Sequence, residues 1–166
     1  DLDVSNNALP FMGFKEVDFF GVPSRIFRIS FSGELAYEIN VKSDHGMFMW
    51  EKLTEVGKEF GNQPYGTEAL STLRIEMGHV AGPELDGRTI PLDVSLNGLV
   101  SKKKDFIGKK SLGREAFNVE SRQKIVGLIP IDRKSSIPEG SHIVQDQNAK
   151  LPIPKLGHVS SSCWSV

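Results

Sequence analysis

The sequence is poor in the residues that carry most recognisable chemistry. A single cysteine, Cys163, excludes an internal disulfide framework and any metal centre built on several thiolates. The four histidines, His45, His79, His142 and His158, lie far apart, with no spacing that suits a metal ion, so none is expected. Charge of one sign is also missing. Twenty basic residues stand against 21 acidic ones, a formal net charge of −1, which gives no electrostatic case for nucleic acid or an anionic membrane. No apolar run approaches the roughly 20 residues needed to span a bilayer. There is no G-x-S-x-G, no Walker loop and no G-x-G-x-x-G after a strand, so neither phosphate cradling nor dinucleotide binding has local support. The first residue is Asp1 rather than Met, and no signal-peptide pattern follows it. Nor do the last seven residues, Ser160 to Val166, resemble a finished terminus, so the chain is expected to be an internal part of a longer cytoplasmic protein.

What is present is the composition of an ordinary globular protein, 39% hydrophobic and 25% charged, long enough for one domain and part of another. Val22 to Ser30 reads as a strand. Residues 29–41 read as two strands joined by a turn at Gly33, the second strand alternating Tyr37, Ile39 and Val41 with Glu38 and Asn40. Ser43 or Asp44 is expected to cap a helix whose stripe of Met47, Trp50, Leu53 and Phe60 reads as core. A second helix is predicted from Thr67 to Met77, closed by Gly78, with Leu70, Leu73 and Met77 on its buried face and Arg74 at the margin. From Val80 to Lys110 the chain reads as loop, short strand and loop. Residues Glu115 to Arg122 turn polar and read as a linker. The apolar runs Ile125–Ile129, His142–Val144 and Gly157–Val159 then suggest strands. The expected fold is therefore α+β: an antiparallel sheet with packed helices over residues 1–118, followed by a truncated, barrel-like all-β domain over 119–166.

Glu38 and Arg74 are the candidate binding residues. Taken alone, Glu38 is a solvent-facing strand residue, since Glu is rarely fully buried. Beside an arginine it acquires a second reading. A carboxylate accepts two parallel hydrogen bonds from a flat heterocycle with adjacent N–H groups, and a guanidinium offers a planar donor fork or stacks on a ring. The acidic residues Glu84, Asp86 and Asp93 are explained by turn chemistry, and Lys102–Lys104 by a solvated loop, with attraction of a polyanionic ligand tail as the alternative. Cys163 reads as a structural thiol.

Six segments in order, Asp3–Ser5, Pro10–Met12, Arg28–Val41, Pro64–Leu70, Leu73–Glu76 and Val100–Lys109, resemble the aminomethyltransferase (glycine-cleavage T-protein) superfamily. Within it the likeness is greatest to the C-terminal region of the α subunits of heterotetrameric sarcosine oxidases. That resemblance implies a tetrahydrofolate-binding module that takes up a one-carbon unit from amine oxidation as 5,10-methylenetetrahydrofolate. It also implies that Glu38 meets the pterin edge and that Arg74 shapes the folate site. Phe31 stands where the family commonly has a Tyr, so ring packing is kept without the hydroxyl. No catalytic residue is expected in this chain, because the family's Asp belongs to a region before Asp1. FAD, FMN and NAD would be bound only in the full assembly. The implied partners are folate, the N-terminal remainder of the same subunit and other oxidase subunits. The alternatives are a glycine-cleavage T-protein, the corresponding domain of dimethylglycine dehydrogenase, or a non-catalytic folate-binding scaffold.

Overall fold

A computed structural model describes residues 2–165. The chain divides into two compact units, Asp1–Met77 and Gly78–Val166. Helices and antiparallel sheets occur together, as expected of an α+β fold.

The first unit is built on a three-stranded antiparallel sheet in the order β1 (Phe14–Phe19), β2 (Val22–Phe27), β3 (Glu38–Asn40). Strand β1 is absent from the sequence reading. Its apolar and polar residues do not segregate well, and it forms because a tight turn returns β2 onto it. Phe20 and Gly21 both adopt positive φ, 56° and 81°, the backbone of the two-residue hairpins that match strand twist. The Asp18 carboxylate accepts the Gly21 N–H at 2.7 Å and fixes that turn. In β2 the side chains of Val22, Ser24 and Ile26 are buried while Pro23 and Arg25 face out. Pro23 is tolerated because β3 pairs only from Arg25 onward, so its missing N–H costs no ladder bond.

The strand expected at Ile29–Phe31 is not formed. Pairing ends at Arg28, whose N–H and carbonyl bond to Gly13 and Met12, and a bend-rich connection follows to β3. Ser30 Oγ accepts the Gly33 N–H at 2.9 Å, a local side-chain bond that competes with a ladder. Helix α1 (Gly46–Gly57) follows a 3-10 turn over Ser43–His45, and neither Ser43 nor Asp44 caps it. Its expected core stripe is also corrected. Met47, Trp50, Leu53 and Phe60 are exposed, Trp50 by 56% and Phe60 by 79%, and Met49 is the buried residue of the helix. The chain exposes 13615 Å², against about 9,800 Å² for two separate compact domains of this mass, so helical periodicity here marks an uncovered face. Helix α2 (Thr67–Met77) has the predicted limits, and Gly78 follows it at φ 76°. Its burial is inverted: Arg74 is buried, Leu70 and Leu73 are half-buried, and Met77 is exposed.

The second unit has little regular structure. No strand forms between Val80 and Lys110; 3-10 turns and the short helix α3 (Lys109–Leu112) occupy that region and its end. Strands β4 (His142–Val144) and β5 (Lys155–His158) pair antiparallel, with an irregularity between Ile143 and Val144. Residues Ile125–Ile129 are not a strand. They find no ladder partner among the described residues, and Val126 and Ile129 are 65% and 80% exposed.

Candidate functional site

The three sequence-predicted site residues all lie in the first unit, on two elements and the connection between strands. Glu38 opens β3 opposite Phe27 of β2 and is exposed, as its alternation with Ile39 predicts. The connection over residues 28–37 precedes it, and Phe31 sits there with 38% of its surface exposed. Tyr37, next to Glu38, donates its hydroxyl to the Val4 carbonyl at 3.3 Å, which ties the start of β3 to the N-terminal segment. Arg28, at the end of β2, donates to the Leu9 carbonyl at 3.1 Å, and Leu9 is the most buried apolar residue, 1% exposed. The platform under Glu38 is thus fixed by backbone ladder and side-chain ties together.

Arg74 comes from α2 and is 6% exposed, so it is not presented on a free helix face. The connection carrying Phe31 reaches the same helix. A Cβ placed on Gly33 would stand 2.6 Å from Met77 Sδ and 2.8 Å from its Cγ, so backbone and side chain are in direct contact there. Met77 lies one turn beyond Arg74. The fold therefore brings the Phe31 connection against the helix that carries Arg74, and leaves the Glu38 carboxylate open to solvent. An exposed carboxylate is free to accept hydrogen bonds from a flat ligand that donates N–H groups from one edge.

A family model described as the GCVT N-terminal domain matches residues 1–104, which include all three residues. The chain belongs to the GCVT (aminomethyltransferase) family. This GCVT chain is 44% identical over 168 residues, 99% of its length, to a protein named sarcosine oxidase subunit alpha from Rhizobium meliloti (strain 1021). The same identity holds over 165 residues for the sarcosine oxidase subunit alpha of Corynebacterium sp. (strain P-1). The aminomethyltransferase of Thermoanaerobacter sp. (strain X514) is 34% identical over 95% of the chain. The chain spans 17% of the length of those two oxidase subunits and 43% of that aminomethyltransferase.

Elsewhere in the GCVT chain the expected acidic group is spread over a loop and tied down. Asp86 accepts the Arg88 N–H at 2.8 Å and its Nε at 2.9 Å, and the Arg88 guanidinium pulls the carboxyl down to about 2. Glu84 accepts the Ala81 N–H at 2.8 Å and the Ser161 hydroxyl at 2.5 Å. Asp93 is buried and accepts both Nε and Nη2 of Arg122, the former at 2.9 Å, together with the Ile90 N–H at 3.0 Å. The Arg122 fork first, and the Ile90 N–H after it, hold the Asp93 carboxyl below its usual range. Turn chemistry explains Asp86, as the sequence predicts, but Asp93 has a long-range partner that no local pattern reveals, 29 residues away. Among the described residues no group of three His, Cys, Asp or Glu side chains is placed to hold a metal ion. No helix of the described residues is long and apolar enough to cross a membrane.

Proposed function

We propose that this chain is the folate-binding part of a sarcosine-oxidase-α-like protein, holding tetrahydrofolate while a one-carbon unit from amine oxidation is captured as 5,10-methylenetetrahydrofolate. The observation that carries this reading is the near-complete alignment with subunits named sarcosine oxidase alpha, over the same residues that align with aminomethyltransferases. The residues fit the ligand in kind. Glu38 would accept hydrogen bonds from the pterin edge, Phe31 would pack on the ring, and Arg74 would brace the wall of the site from within α2. Bound folate would supply the nitrogen nucleophiles that take up the one-carbon unit.

The contribution of this chain is orientation and proximity, which convert a bimolecular capture into a near-unimolecular one. The catalytic Asp of the family would come from sequence before Asp1, in the N-terminal remainder of the same subunit, which completes the cavity. Flavin and nicotinamide chemistry would take place in other domains and subunits of the assembly. In this reading residues 1–118 form the folate-side domain and 119–166 open a barrel-like domain.

The test is tetrahydrofolate binding by calorimetry to the full-length protein carrying this sequence, wild type against Glu38→Ala. Loss of a charge-assisted contact weakens binding by about 1.5–3 kcal/mol, roughly tenfold or more. Unchanged affinity would remove Glu38 from the site. Absence of any folate binding by the wild type would remove the function.

A further inference from the structure

The family match ends at residue 104, and the stretch after it reads in sequence as a linker followed by an independent segment. The second unit is wired otherwise. Arg122 makes a two-pronged ion pair with buried Asp93, sends Nη2 to the Arg88 carbonyl at 2.9 Å, and lies over the Phe117 ring at 5.4 Å. Directly after it, the Ile125 N–H donates to the Asp93 carbonyl at 2.7 Å, and the Gln123 side chain donates to the Leu156 carbonyl at 2.9 Å. A third tie joins Ser161 to Glu84. Apart from the Arg122–Phe117 contact, every link runs between the 84–93 loop, inside the family match, and residues beyond it, or secures β5 to the same stretch.

We infer that residues 84–93 form an intramolecular docking surface for the 122–161 segment, and that the Asp93–Arg122 pair is the clasp that closes it. Among these links this pair is the charged and bidentate one, and its Asp93 is buried. An Arg side chain retains 20% of its exposure here and the Asp 10%, so water screens the pair poorly. The guanidinium is required as a shape as well as a charge. It must reach both Asp93 oxygens, the Arg88 carbonyl and the Phe117 face at once, which a lysine ammonium does not do. Since Asp93 supplies side chain to Arg122 and main chain to Ile125, opening the clasp loosens both sides together.

Hydrogen exchange on the full chain, read peptide by peptide, tests this. In the wild type the bonded amides of 84–93 and the Ile125 amide are protected. In Asp93→Asn and in Arg122→Lys they speed up together by about tenfold or more, while the β1–β2 hairpin of the first unit keeps its rates. The double variant exchanges little faster than either single one, since both remove the same link. Three results overturn the clasp: an unprotected Ile125 amide in the wild type, single-variant rates equal to wild type, or strictly additive effects in the double variant. Folate binding plays no part in the readout, so it stands or falls apart from the proposed function.

Discussion

The two units hold themselves together by different means. The first holds four of the five buried apolar residues among those described, Leu9, Val22, Ile26 and Met49, and two of these, Val22 and Ile26, lie in the central strand of a backbone ladder. In the second, Val94 is the buried apolar residue among those described, and its neighbour Asp93 is a buried carboxylate paired with Arg122. One unit is organised by the non-directional burial of alternating side chains, the other by directional polar links between distant residues. Burial tolerates small displacements, whereas a two-pronged ion pair does not, so damage should spread differently in each.

The comparison breaks most sharply at Ile26, 4% exposed in the central strand. Ile26→Ala should cost about 2–4 kcal/mol, read as faster hydrogen exchange throughout β1–β3 with the second unit unchanged. Equal loss in both units would show that they fold as one. A smaller effect is expected from acid. The Asp93 carboxyl is depressed in the folded state, so its stabilisation is fully present above the unfolded carboxylate value near 4 and is lost as pH falls through the lower folded value. Exchange at the Ile125 amide should therefore rise below about pH 4 before the β1–β2 hairpin responds. A hairpin that opens first would reverse the assignment of which unit depends on charge. The smallest effect is local. Gly33 sits at φ 88° against Met77, so Gly33→Ala should cost about 1 kcal/mol and loosen the connection that carries Phe31. Exchange rates in residues 28–37 that match the wild type would show that this contact does not hold the connection in place.

The exposed face of α1 marks the limit of reading periodicity. Met47, Trp50 and Leu53 recur at helical spacing, and that spacing predicts which residues share a side of the helix. Whether that side is covered depends on what lies opposite, which no local pattern encodes. The same holds for Arg74. Its place in the helix is legible to the residue, but its burial is decided by what packs beside it.

The sequence alone determined the limits of α2, the solvent-facing register of Glu38 and the family itself, because periodicity, a stop glycine and ordered motifs are local properties of the chain. Only the tertiary structure decided that β1 pairs with β2, that Ile125–Ile129 stays unpaired, that Arg74 is enclosed, and that Asp93 reaches Arg122. Each of these depends on contacts between residues distant in sequence, whose energy exists only once the chain has brought them together.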